Sequence, residues 1–241
     1  MSVSGTTPRG AASEREAAQW VRRMFGGIAR RYDLLNHVLS FNLDRRWRAR
    51  LVERVADVLD RRDGRVLDLC CGTADVLVSL EKRRGRATLL ASDFCHPMLL
   101  QARRKTAAPL FEADALALPM AGESLDLITI AFGFRNLANY GAGLEELLRV
   151  LKPGGVAAIL EFSQPTNRAF GALYGFFSAR VLPWVGGMVS GSREAYAYLP
   201  ESIRKFPGAE ELAAQMRSAG FARVEFERMS GGAVALHRAW K

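Results

Sequence analysis

An α/β fold is what this sequence predicts: a doubly wound, mostly parallel sheet behind an N-terminal helical cap. Two observations predict it. From residue 65 onward, short apolar runs alternate with helical patterns, the rhythm of a parallel sheet covered on both faces. The stretch "VLDLCCGTADV", residues 66–76, then sets a tight glycine turn directly after the first run, where doubly wound folds receive ligands. With 241 residues, 49% hydrophobic and 24% charged, the chain can bury the core such a fold needs.

Residues 1–12 are small and polar and are expected to be disordered. Residues 13–241 read as a single domain, with the cap over 13–62 and the α/β core over 63–241. Ser13 followed by Glu16 makes a capping box that opens a helix carrying Trp20, Met24 and Phe25. A second helix starts near Asp44, where Trp47, Leu51, Val55 and Leu59 recur on one face. Then come the strand-like runs "RVLDLC" (65–70), "TLLASD" (88–93), "LDLITIAF" (125–132) and "GVAAILEF" (155–162), with "PLFEAD" (109–114) as a further candidate. Helical patterns separate them, including Pro97–Arg104 and Gly143–Leu151, and "LKPGG" puts Pro153 and Gly154 just beyond a helix end as a stop signal. The tail differs. "FARVEFERM" and "GAVALHRAW" are consecutive runs joined through Ser230, Gly231 and Gly232, an antiparallel hairpin at the sheet edge.

Composition narrows the function. Three cysteines are too few for a disulfide framework, and the first residues carry no apolar h-region, so a reducing, cytoplasmic setting is expected. The net charge of +9 raises nucleic acid or an anionic membrane as partner. No basic block is interleaved with aromatics as a stacking platform requires, so nucleic acid is not expected. Residues 169–191, "AFGALYGFFSARVLPWVGGMVSG", are apolar, but Arg180, Pro183 and the glycines argue against a bilayer-spanning helix. A lining for a greasy ligand, a surface resting in the membrane interface, or an ordinary buried helix and loop all fit that composition.

The glycine turn is the candidate site. Gly72 lets the backbone approach a cofactor with no Cβ in the way. Asp93, 21 positions on, ends the second strand run, where an acid can accept both hydroxyls of an adenosine ribose. Asp114, after a further run, can face the exocyclic amine of an adenine. Each acid alone is more often a helix cap, yet three successive strand ends deliver suitable groups to one edge. Neither a Gly-x-Gly-x-x-Gly nor a Gly-Lys-Ser/Thr is present, which favours a nucleoside without a pyrophosphate, such as S-adenosylmethionine. Cys70 and Cys71, neighbours on a strand end, point to opposite faces and do not read as a metal site.

At these residues the chain resembles the class I S-adenosylmethionine-dependent methyltransferases. More narrowly, it resembles the quinol C-methyltransferases of menaquinone and ubiquinone biosynthesis. The specific motifs are "RYDLLN", "FGFRN", "LEFSQP" and "ESIRKFP", supported by "LDLCCGTAD", "SDFCHPML", "ADALALPM", "RVLKPGG" and "GGAVALH", spread from about Met24 to Trp240. The resemblance implies a seven-stranded sheet with its last strand antiparallel. It implies that Thr73, Asp93, Asp114 and Ala115 contact the cofactor, and that Asp68 and Gly72 shape the loop. The loop departs from the family's usual Gly-Thr-Gly-Asp at Ala74, whose methyl would tighten the methionine pocket or demand a negative φ. At Ala131 the hydroxyl of a frequent serine is missing.

The implied reaction is C-methylation of demethylmenaquinol to menaquinol. The alternatives are the corresponding step on a 2-methoxy-6-polyprenyl-1,4-benzoquinol, or a non-catalytic quinone-binding module on the same fold. Carbon attacks a sulfonium methyl only once a quinol hydroxyl is deprotonated, and a phenol titrates near pKa ~10. The motifs nominate Arg135 to stabilise the phenolate, Asp75 or a water bound to it to take the proton, and Tyr32 to hydrogen-bond the ring oxygen. The plainer reading is that Arg135 and Asn136 organise a loop and Tyr32 anchors the cap. A prenylated substrate implies peripheral contact with the inner face of an anionic membrane, and the resemblance is compatible with a homodimer.

Overall fold

In this computed structural model, residues 5, 6, 8, 10–83, 85–166 and 193–241 are described. The apolar stretch 169–191 lies outside them. The cap opens with α1 (Glu14–Ile28), which buries Ala17, Val21 and Ile28. Ser13 Oγ accepts from the Glu16 N–H at 3.2 Å and the Glu16 carboxylate accepts from the Ala12 N–H at 2.8 Å, a reciprocal cap that satisfies donors the first turn leaves open. A 3₁₀ turn (Ala29–Arg31) leads into α2 (Tyr32–Leu39), which the sequence pattern does not separate from its surroundings. Phe41 and Asn42, both at positive φ (53° and 59°), reverse the chain into α3 (Leu43–Arg54), and the short α4 (Ala56–Leu59) follows.

The sheet has seven strands in the order β3-β2-β1-β4-β5-β7-β6. These are β1 (Arg65–Leu69), β2 (Thr88–Asp93), β3 (Leu110–Glu112), β4 (Leu125–Ala131), β5 (Leu151–Phe162), β6 (Arg223–Met229) and β7 (Val234–Trp240). The first five are parallel. β7 runs antiparallel between β5 and β6, from Val156↔Trp240 to Phe162↔Val234 on one side and from Arg223↔Trp240 to Met229↔Val234 on the other. Between the strands lie α5 (Asp75–Lys82), α6 (His96–Ala102), α7 (Tyr140–Val150), α8 (Arg193–Lys205) and α9 (Ala209–Ser218). One face of the sheet packs Leu67, Leu69, Ile128, Ile130 and Ile159 under α7 and α9; the other packs Val66, Leu127, Val156 and Leu160 under α3 and α5. Continuous apolar strands are what burial on both faces requires.

Two expectations need correction. "LKPGG" ends α7, but the strand begins at once. Pro153 and Gly154 (φ 76°) sit inside β5, where the register with β4 shifts between Leu125↔Leu151 and Leu127↔Val156. The irregularity absorbs residues that read as a stop signal. Nor is the whole of 1–12 free of structure: Thr6 is buried, and its N–H donates to the Leu137 carbonyl at 2.8 Å. Tertiary contact, which composition does not reveal, orders it.

Candidate active site

The carboxyl ends of β1, β2 and β4 open onto a cavity lined by the sheet edge on one side and the helical cap on the other. Its floor is the turn after β1. Cys70, Gly72 and Ala74 all take left-handed φ (54°, 55° and 69°) in that turn. A left-handed alanine costs about 1 kcal/mol, and here the methyl is buried beside Leu77, Ala91 and Ala102. Ala74 therefore neither tightens the cavity nor demands a negative φ, which corrects the expectation. Across the cavity, a Cβ on Gly133 would lie 2.4 Å from the Cys70 Cβ, so the turn and the "FGFRN" loop meet as closely as glycine allows. Ala131 is on the wall.

The acids occupy distinct places. Asp93 lines the cavity; its carboxylate accepts from the Gly72 N–H at 2.8 Å and the Cys95 N–H at 2.9 Å, and burial pushes it up to about 6. Each oxygen keeps a lone pair for a hydroxyl donor. Asp114 and Ala115 form the adjacent rim, with Asp114 accepting from the Leu116 N–H at 2.9 Å. Asp68 lies beneath the loop, pushed up to about 7 by burial, and accepts from Thr129 Oγ1 at 2.8 Å and the Leu77 N–H at 3.1 Å. It ties β1 to β4 and α5 and does not reach the cavity. Cys70 and Cys71 are held well above the usual thiol range by burial, and among the described residues no cluster could hold a metal.

The cap closes the other side. Tyr32, Phe25 and Ala18 line the cavity, and the Tyr32 ring edge is 3.7 Å from where a Cβ on Gly72 would be. Burial raises the Tyr32 phenol. Thr73, expected at the cofactor, is buried and donates its hydroxyl to Asp33 on α2. Lys105 pairs with Asp33 at 2.5 Å and with Asp75 at 2.7 Å, and Arg48 meets the second Asp75 oxygen at 3.0 Å. This cationic clasp fastens α2 and α3 to the cofactor turn. With a cation on each oxygen, Asp75 stands at the start of α5 as a structural anion and is not on the cavity wall.

Arg135 is likewise not on the wall. It is 5% exposed and turns inward: its N–H donates to Glu161 at 3.2 Å, Nε lies 3.4 Å from Glu161, Nη1 donates to Ser202 at 3.1 Å, and the guanidinium sits 5.8 Å from the Phe162 ring centroid. Burial raises the Glu161 carboxyl and the Arg135 charge opposes that rise. The neighbour, Asn136, is the group that reaches the cavity. Its Oδ1 accepts from Arg135 Nη1 at 2.6 Å and from the Tyr198 hydroxyl at 3.0 Å. Sequence reasoning named Asn136 only as a loop organiser; its place beside Arg135 in "FGFRN" was the available signal. It passed over Phe132, which lines the cavity at φ 58° and joins an aromatic cluster with Trp47 and Phe162.

The residues present suit an adenosyl cofactor. A carboxyl raised by burial at the end of β2, with a lone pair left on each oxygen, is what a ribose diol would satisfy, and a second acid on the β3 side can meet an amine. Elsewhere the wall carries the rings of Phe25, Tyr32, Phe94 and Phe132 and the side chain of Asn136.

The family model described as "ubiE/COQ5 methyltransferase family" matches residues 12–241. A demethylmenaquinone methyltransferase of Thermus thermophilus is 48% identical over 89% of this chain and 98% of its own length. A protein of Syntrophotalea carbinolica named ubiquinone/menaquinone biosynthesis C-methyltransferase UbiE is 42% identical over 91% of this chain and 93% of its own. Among solved structures, a SAM-dependent methyltransferase of Thermotoga maritima superposes with a TM-score of 0.61 at 19% identity, covering 89% of this chain and 98% of the other, a likeness of fold.

Proposed function

The chain belongs to the ubiE/COQ5 methyltransferase family, and from that premise we propose that it methylates a ring carbon of demethylmenaquinol, with S-adenosylmethionine as donor, to give menaquinol. The observation that carries the reading is a single cavity at the strand ends that gathers the buried Asp93 and the exposed Asp114 with Tyr32, Phe132 and Asn136. When bound, S-adenosylmethionine would supply an electrophilic methyl on sulfonium, with a neutral thioether as the leaving group. Asp93 would accept from the ribose hydroxyls, Asp114 from the adenine amine, and Gly72 would allow the close approach.

The chain's own part is to make the quinol a carbon nucleophile. A quinol hydroxyl set against Asn136 and Tyr32 would lose its proton to water, and the negative charge then builds on that oxygen and on the adjacent ring carbon. Once that carbon has taken the methyl, its own proton is lost to water and the oxygen regains one, which restores the aromatic quinol. An Asn136 N–H donates to the oxygen, with the Arg135 charge behind it, in surroundings where such donors act more strongly than in water. Asp75, with Lys105 on one oxygen and Arg48 on the other and away from the cavity wall, is not placed to take that proton in this scheme. The prenyl tail would leave along the Phe132–Phe162–Trp47 side, and peripheral contact with an anionic bilayer from the cytoplasmic side belongs to the same reading. Among the described residues no helix is long and apolar enough to cross a membrane.

The test offers the purified protein S-adenosylmethionine with demethylmenaquinol and, separately, with the methoxybenzoquinol, and follows product mass and methyl position. One methyl gained on the naphthoquinol ring carbon alone supports the proposal. The Syntrophotalea relative's name mentions both quinones, and gain on both substrates would extend the reading to a shared enzyme. Bound cofactor with no methylation of either substrate would refute it.

A further inference from the structure

Resting on that reading, we propose that Thr6 and Tyr198 are positioning residues for Asn136. A hydrogen-bonded chain runs from the first residues of the protein to the cavity wall and fixes which end of the Asn136 amide the substrate meets.

The direction of each bond follows from what each group can do. Arg135 only donates, so the atom of Asn136 that meets its Nη1 at 2.6 Å is the carbonyl oxygen. The Tyr198 hydroxyl gives its one proton to the same oxygen at 3.0 Å. Its 2.6 Å contact with Thr6 Oγ1 is then one in which the threonine hydroxyl donates and the phenol oxygen accepts. Two donors on Oδ1 forbid the flipped amide. On the other side, Nδ2 donates to the Phe132 carbonyl at 3.4 Å, and its second N–H is the polar group that Asn136 has to offer the cavity. A flipped amide would present an acceptor, which repels a phenolate.

Thr6 is held as firmly as the residue it supports. Its N–H donates to the Leu137 carbonyl at 2.8 Å, and a Cβ on Gly5 would fall 2.0 Å from the Ala138 carbonyl oxygen, so this strap lies flat on the back of two cavity-wall residues. Trp20 of α1 covers Tyr198, ring centroids 4.9 Å apart. Thr6 and Tyr198 are 4% and 6% exposed, which leaves water little access to replace either partner. Neither lines the cavity.

The test uses the full-length protein with Thr6→Val, Thr6→Ser and Tyr198→Phe, assayed on demethylmenaquinol. Loss of one buried hydrogen bond should lower kcat about fivefold to tenfold in Thr6→Val and Tyr198→Phe. KM for the quinol and the Kd of S-adenosylmethionine should stay unchanged, and Thr6→Ser should restore turnover. A readout independent of turnover is the ¹⁵N side-chain amide pair of Asn136, assigned with Asn136→Asp. It should move in Thr6→Val and Tyr198→Phe and stay in Thr6→Ser. Unmoved resonances with kcat intact, or an equal loss in Thr6→Ser and Thr6→Val, would overturn the proposal. If the wild-type protein fails to methylate the quinol, the functional reading fails, and the resonances alone decide the positioning.

Discussion

Removing the counter-charge of Arg135 separates its structural part from its catalytic part. Glu161 is 1% exposed, lies 3.4 Å from Arg135 Nε and accepts from the Arg135 and Phe162 N–H groups at 3.2 and 2.9 Å. Glu161→Gln leaves a buried guanidinium with neutral partners only, and turns an amide N–H₂ toward groups that donate. Breaking one side of a buried pair costs about 3–5 kcal/mol. At about 2–4 °C per kcal/mol for a chain of this size, thermal unfolding should fall by roughly 6–20 °C. Replacing both partners, Arg135→Met with Glu161→Leu, should recover most of that loss, because apolar groups of similar volume fill the site without an orphaned charge. Turnover should not recover, since Asn136 then keeps Tyr198 as its only donor. Differential scanning calorimetry and an initial-rate assay on the same samples read both quantities. A Glu161→Gln protein melting within 2 °C of wild type would refute the buried-pair argument. A double variant with wild-type turnover would remove Arg135 from the mechanism.

Three further outcomes follow. Asp93, raised to about 6 in the free protein, should fall when ribose hydroxyls donate to it. S-adenosylmethionine affinity should therefore weaken up to tenfold per pH unit as pH drops below about 6 and level off above it; titration calorimetry across pH should show this, with a flat profile in Asp93→Asn. Ala74→Gly relieves a left-handed alanine but exposes the space its methyl filled, opposing effects of about 1 kcal/mol each, so urea unfolding should place it within about 1 kcal/mol of wild type. Ala74→Val, β-branched at positive φ among Leu77, Ala91 and Ala102, should lose about 3 kcal/mol or more. Asp75→Asn should lower kcat less than tenfold, where loss of a true general base would cost 100-fold or more.

The strands of the core were legible because burial on both faces writes itself as uninterrupted apolar runs, and Gly72, Asp93 and Asp114 because a doubly wound sheet puts strand ends at one edge. What stayed hidden depends on where side chains turn. Arg135 carries the charge that draws attention in "FGFRN", yet its partner Glu161 sits 26 positions on and pulls it inward, leaving Asn136 on the wall. Thr73 reads as a cofactor residue and Asp75 as a base until Asp33, Arg48 and Lys105, from three separate segments, are seen to occupy them. A polar leader gives no local sign that one of its residues pairs with an α8 tyrosine.

The contact between Thr6 and Tyr198 spans 192 positions of sequence, and this sets an order of events during synthesis. The ribosome releases the strap early, when the tyrosine that receives it does not yet exist, and β6 joins the sheet only through β7, the last strand made. A nascent chain can therefore assemble the cofactor edge from β1, β2 and β4 while Oδ1 of the amide that faces the quinol has Arg135 as its one donor. The strap and the tyrosine it meets come from segments made far apart in time, so the aim of the Asn136 amide is completed well after the strands that form the cofactor edge.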